Sequence, residues 1–169
     1  AIGIEASPMA AFASGVKTNW TKKYRELREA GEAAAERAAK MYLQPVYPLL
    51  KFNDEQEQII LTDSISEIPL HKCLILHDVI KTIADPEVRN ILLLALSYVT
   101  VFSASNLKFG PEVGVRRKKK EVASVFEDFF VKVCAMARDL EAANGDGPVS
   151  TVITADSRYV NSAIPEASV

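Results

Sequence analysis

Two carboxylates at the ends of short apolar runs are the residues of this chain best placed to do chemistry. Ala1–Glu5 (Ala-Ile-Gly-Ile-Glu) closes on Glu5, and a second run, Val149–Thr154, leads to Asp156. Both runs read as buried parallel strands. In an open α/β sheet, ligands bind beyond the carboxyl ends of the strands. An acid there can accept hydrogen bonds from both ribose hydroxyls of a nucleotide, and an acid one strand over can accept one from an adenine amino group. Spacing alone allows a plainer reading equally well, in which each acid merely caps the helix that follows.

Other chemistry-bearing residues are less pointed. His71, Cys73 and His77 are the sole cluster of metal-ligand types. On a helix, offsets of two and six residues scatter them over different faces, so no metal is expected. The two cysteines, Cys73 and Cys134, are too few for a disulfide framework and read as buried free thiols. The run Arg116-Arg117-Lys118-Lys119-Lys120 reads by default as a solvated surface. If it opens a helix, each cation there is disfavoured by roughly 0.3–1 kcal/mol through the helix dipole. Contacts to DNA phosphates would offset that cost. Trp20 and Tyr24 could stack on a base, but on an apolar helical face they read as core.

The elements that must position these residues follow from periodicity and capping. Ser7-Pro8 supplies an N-cap and a first-turn proline, which predicts a helix to about Lys17. Thr18 to Leu43 repeats Trp20, Tyr24, Leu27, Ala34, Ala38 and Met41 at helical spacing. Residues 44–65, with Pro45, Pro48 and Asn53-Asp54-Glu55, read as a loop holding a short helix or strand. Leu70–Ala84 is helical, with Leu70, Cys73, Leu74, His77 and Ile80 on one face. Asp85-Pro86-Glu87 restarts a helix. Ile91–Ala104 is apolar nearly all round and is expected to be the central, most buried helix; the longest apolar stretch, Ile91–Phe102, is interrupted by Ser97 and Thr100 and is too short to span a bilayer. After a loop over Ser105–Gly114, a helix is expected from Lys118 to Ala143 with Val122, Val125, Phe126, Phe129, Val133, Met136 and Leu140 as its stripe. Asn144-Gly145-Asp146-Gly147-Pro148 stops it, and Ile164-Pro165 marks a turn after the second strand.

The order strand, helix, helical block, strand describes an α/β sheet in which one crossover has grown into a helical subdomain. The expected divisions are 1–17, 18–147 and 148–169. Composition agrees with a globular chain: 169 residues, 49% hydrophobic and 25% charged, which excludes disordered tails, collagen-like repeats and disulfide-stapled mini-proteins. A formal net charge of −2 leaves any anion binding to local clusters. No signal peptide is recognised, so a reducing cytoplasmic setting with no membrane partner is expected. The abrupt ends suggest a segment of something longer.

Residues 1–20, Ala-Ile-Gly-Ile-Glu-Ala-Ser-Pro-Met-Ala-Ala-Phe-Ala-Ser-Gly-Val-Lys-Thr-Asn-Trp, resemble the second motif of S-adenosylmethionine-dependent DNA methyltransferases of the amino-methylating class. Ile153-Thr-Ala-Asp-Ser-Arg158, with Ile164-Pro-Glu-Ala-Ser-Val169, is similar to the stretch before that family's catalytic tetrapeptide. Ser105-Asn106 and Phe109-Gly110-Pro111 look like a loop between the two. The resemblance is specific at the ends and soft in the helical middle. It implies part of a Rossmann-like methyltransferase sheet carrying a large all-α insertion, in a chain that is itself mostly helical. Glu5 would bind the ribose hydroxyls of S-adenosylmethionine with Ala6 beside the adenine, and Asp156 would take the adenine amino group with Ser157 alongside. DNA would be the partner, reached by base flipping. Neither the family's Gly-rich loop nor its Pro-Pro-aromatic motif is in the chain, so the chain holds no catalytic residue and is expected to be inactive alone. The alternatives are a non-catalytic helical interaction module, or an RNA or small-molecule methyltransferase on the same scaffold.

Overall fold

Local capping chemistry starts several of the elements. The computed structural model describes residues 1–148, 150–159 and 164. Strand β1 (Ile2–Glu5) leads into α1 (Pro8–Lys17), where Ser7 Oγ accepts from Ala10 N at 3.4 Å and Pro8 fills the first turn. The elements that follow are α2 (Tyr24–Tyr42), α3 (Asp54–Ile59), α4 (Glu67–Lys81) and α5 (Pro86–Val99). Next come β2 (Leu107–Lys108), β3 (Gly114–Val115), α6 (Val125–Ala143) and β4 (Thr151–Thr154). The chain is therefore mostly helical with few strands.

It divides into two compact units. Unit 1 comprises Ala1–Lys22 and Asp139–Val169, and unit 2 comprises Lys23–Arg138. Along the sequence the units meet at 22/23 and 138/139. α6 runs through the second border.

In unit 1, β1 and β4 pair in parallel with Ile2 opposite Thr151 and Glu5 opposite Thr154. α1 packs against both strands and buries Ala11. Contrary to the expectation of a buried strand, Ile2 and Gly3 are exposed while Ile4 and Glu5 are half-buried. The reason is that the described sheet has two strands, so the start of β1 has little to pack against. Val149 and the run 165–169 lie outside the described residues, and Ile164 sits in a bend. The stop after α6 uses left-handed backbone at Asn144 (φ 51°) and Gly145 (φ 72°). Trp20 lies against Gly147 so closely that a Cβ there would fall within the indole.

Unit 2 is built around α4, which packs against both α2 and α5. Its buried set is Pro69, Leu70, His71, Cys73, Ile75, Leu76, Val79 and Ile80, wider than the single face expected. α4, not α5, is the central helix. α5 buries Val88, Ile91, Leu92, Ala95, Leu96 and Val99, but Tyr98 and Phe102 are exposed. It continues through a π-helical turn, Thr100–Ala104. Pro86–Ala104 is long and apolar enough to cross a membrane by length and composition alone, which corrects the shorter span expected from Ile91–Phe102.

Two helices begin later than their periodicity implied. α2 starts at Tyr24, because 18–23 form a turn in which Thr21 N donates to Asn19 O at 3.0 Å. Trp20 therefore sits outside the helix and is exposed. α2 then presents a stripe of small residues, Gly31, Ala34, Ala35 and Ala38, beside Leu27. α6 starts at Val125, seven residues past the expected Lys118. Cations in a first turn oppose the helix dipole, whereas Glu127 and Asp128 suit the first turn that does form. Val122, expected in the stripe, is outside the helix and exposed.

Candidate functional site

The parallel ladder of unit 1 brings the carboxyl ends of β1 and β4 side by side. Ala155 N extends the pairing by donating to Glu5 O at 3.2 Å. Glu5 and Asp156 thus leave the same end of the sheet, both half-buried, with Ala6 and Ser157 exposed next to them. The four residues come from segments about 150 positions apart, and the register places them together.

Their side chains are already partly engaged. Glu5 Oε1 accepts from Ser7 N at 3.0 Å, which steadies the turn into α1, whose N-cap is Ser7 and not Glu5. Asp156 is held by Arg158, whose Nε donates to both carboxylate oxygens at 3.0 Å while its backbone N donates to Oδ1 at 3.0 Å. The Arg158 guanidinium holds the Asp156 carboxyl below the usual carboxylate range. Arg158 itself is exposed, so this pair is worth little in water and can be exchanged for another donor. The sequence signal for it was the Asp-x-Arg spacing, which puts the two side chains on one turn.

The basic run in unit 2 is a loop, not a helix N-terminus, so the dipole cost inferred from sequence does not arise. Asn106 organises it. This side chain is 1% exposed, and its Nδ2 donates to Asp63 O at 3.0 Å and Ser66 Oγ at 3.1 Å. Its Oδ1 accepts from Lys120 N at 2.7 Å, and its backbone carbonyl accepts from Arg116 N at 2.8 Å. Lys120 is half-buried and donates to Ser103 O at 2.7 Å; burial lowers its pKa. Lys119 pairs with Asp63 at 3.3 Å, and Arg116 Nε donates to Leu107 O at 3.1 Å. Arg117 and Lys118 remain exposed. Of the five cations proposed for phosphate contacts, Arg116, Lys119 and Lys120 therefore already serve the fold. The expected loop over Ser105–Gly114 contains the antiparallel pair β2–β3.

His71 and Cys73 are buried in the core of unit 2. His71 Nδ1 accepts from Leu50 N at 3.0 Å, and its ring lies 5.8 Å from that of Tyr42 and 6.1 Å from that of Tyr47. Burial lowers its pKa. Burial also pushes the Cys73 thiol up to about 11, which keeps it protonated and unreactive; Cys134 is half-buried. Among the described residues, no group of three His, Cys, Asp or Glu side chains is placed to hold a metal ion. Comparison with protein-family models, curated proteins and solved structures returns no match for this chain.

Proposed function

We propose that this chain supplies two cofactor-contacting strands of an S-adenosylmethionine-dependent DNA methyltransferase of the amino-methylating class, with unit 2 as a helical insertion. The observation that carries this reading is the parallel pairing of β1 with β4, which sets Glu5 and Asp156 at one end of the sheet. That is the end where α/β sheets receive nucleotides. Glu5 keeps Oε2 for the ribose hydroxyls while Oε1 holds Ser7 N. Ala6 offers a flat, small surface for the adenine, and Asp156 accepts its amino group once Arg158 turns away, with Ser157 beside it. The bound donor supplies an activated methyl group for an exocyclic amine of adenine or cytosine. In this chain Glu5 and Asp156 bind and orient it, and no residue here is assigned to the transfer.

The test is a backbone amide titration of the ¹⁵N-labelled chain with S-adenosylmethionine to about 10 mM, a range that detects weak binding. Shifts confined to Glu5–Ser7 and Ala155–Arg158, and abolished by Glu5→Ala, are expected. No shift in either segment overturns the reading. It would leave the second one, a non-catalytic interaction module, which is favoured by the separate core that unit 2 builds around α4.

A further inference from the structure

Unit 2 carries a row of aromatic rings on its outside. Tyr98, Phe102 and Phe109 are 45%, 54% and 53% exposed, although a soluble fold ordinarily buries such rings. They touch one another: the ring centroids of Tyr98 and Phe102 are 4.7 Å apart, and those of Phe102 and Phe109 are 5.3 Å apart, each pair tilted by 39°. Phe102 projects from the π-helical turn Thr100–Ala104, a distortion that often re-aims side chains at functional sites. Phe109 comes from the segment between β2 and β3, so two separate elements converge to build the row.

Cations border it. Lys132 Nζ lies 4.1 Å from the Tyr98 ring centroid, and Lys120 is anchored on Ser103, the neighbour of Phe102. Residues 105–120 hold six cations (Lys108 and 116–120) against one acid, Glu112. This local excess contrasts with the net charge of −2 for the whole chain. Stacking surfaces beside a positive segment are the combination that binds unpaired polynucleotides, because every base has a face to stack and every phosphate a charge to neutralise. A lipid surface or a protein partner would use the rings but has less call on so concentrated a charge.

We propose that unit 2 binds single-stranded nucleic acid across the Tyr98–Phe102–Phe109 row, with bases stacked on the exposed rings and phosphates held by Lys108, Arg117 and Lys118. This rests on unit 2 alone, so it stands or falls independently of the methyl-donor reading of unit 1.

The experiment is fluorescence anisotropy of the whole chain with labelled oligothymidylate and oligouridylate of about 20 nucleotides, and with a duplex of that length, at about 50 mM salt. Saturable binding of at least one single strand, tighter than the duplex, is expected; which sugar binds better identifies DNA or RNA. Phe102→Leu and Phe109→Leu should each weaken it by about fivefold or more, the value of one stacked base. Their melting midpoints should hold because both rings are exposed. If Phe102→Leu melts early, Phe109→Leu carries the comparison. The double variant Arg117→Gln/Lys118→Gln should weaken binding and flatten the log–log salt slope by about 1.4. The proposal is overturned by absence of binding, by Phe variants that bind like the parent chain, or by duplex binding as tight as single-strand binding. Phe102-dependent binding to phosphatidylserine vesicles without oligonucleotide binding also overturns it and assigns the row to lipid.

Discussion

Glu5 lies directly across the parallel ladder from Thr154, two residues before Asp156, so the carboxylates of Glu5 and Asp156 leave one sheet end together. Arg158 covers Asp156, while Glu5 Oε1 accepts from Ser7 N.

Removing that cover separates the roles of the two residues. Arg158→Ala should raise the Asp156 carboxyl pKa toward the ordinary value of about 3.9, read by carboxyl carbon shifts against pH. A depressed folded-state pKa contributes stability that is present above the unfolded pKa and is lost as pH falls through the folded one. The acid side of the melting curve of unit 1 should therefore flatten in this variant, slightly, because the pair is exposed. On the proposed function, S-adenosylmethionine binds Arg158→Ala at least as well as the parent, whereas Asp156→Ala loses about tenfold. Equal affinity in Asp156→Ala would remove that residue from the site.

Two helical glycines should answer the same substitution with opposite signs. A Cβ on Gly31 in α2 would stand 2.6 Å from Val133 Cγ1, and valine is stiff about χ1. Gly31→Ala should destabilise unit 2 by about 1–3 kcal/mol through overpacking. Gly15 in α1 has nothing within 4 Å of its would-be Cβ, so Gly15→Ala should stabilise by about 0.5–1 kcal/mol through helix propensity. Urea denaturation of both variants checks the pair.

Asn106 is satisfied on every side-chain hydrogen-bonding atom that faces the protein. Asn106→Ala should cost about 2–4 kcal/mol, since the Lys120 N–H and the Asp63 carbonyl lose a partner. Asn106→Asp should also be harmful, because an acceptor would then face the Asp63 carbonyl. Amide hydrogen exchange at Lys120 reports the loosening of the basic loop directly, and unchanged protection there would contradict the role assigned to Asn106.

His71 sets a pH dependence for unit 2. Its folded-state pKa is lowered by burial, so below its unfolded pKa of about 6.5 the unfolded chain binds the proton more readily. Stability is complete above that pH and declines as pH falls toward the lowered folded value. Asn at this position keeps an acceptor for Leu50 N but does not titrate. The melting midpoint of His71→Asn should therefore change less between pH 7.5 and 5.5 than that of the parent (the interval brackets the histidine range). Parallel curves would sink this account.

Much of the local structure was legible in the residues. Ser7-Pro8 and Asp85-Pro86 start helices where their types require, since Asp85 Oδ1 accepts from Glu87 N at 2.9 Å and Val88 N at 3.3 Å within one turn. Asn144-Gly145 ends α6 by left-handed backbone for the same reason. The candidate acids were also legible as residues at strand ends.

What the amino-acid order determined by itself was therefore whatever depends on partners within four residues: caps, stops, helical runs and the acids that close two strands. Tertiary structure decided the rest. The β1–β4 register joins Ile2 to Thr151, and α4 became the centre because α2 and α5 both close on it. The shape of the basic loop before α6 was decided at a distance, where Asn106 takes the Lys120 amide from fourteen residues away. Such choices are hydrogen bonds and packing between remote segments, and no local propensity encodes which remote segment will arrive.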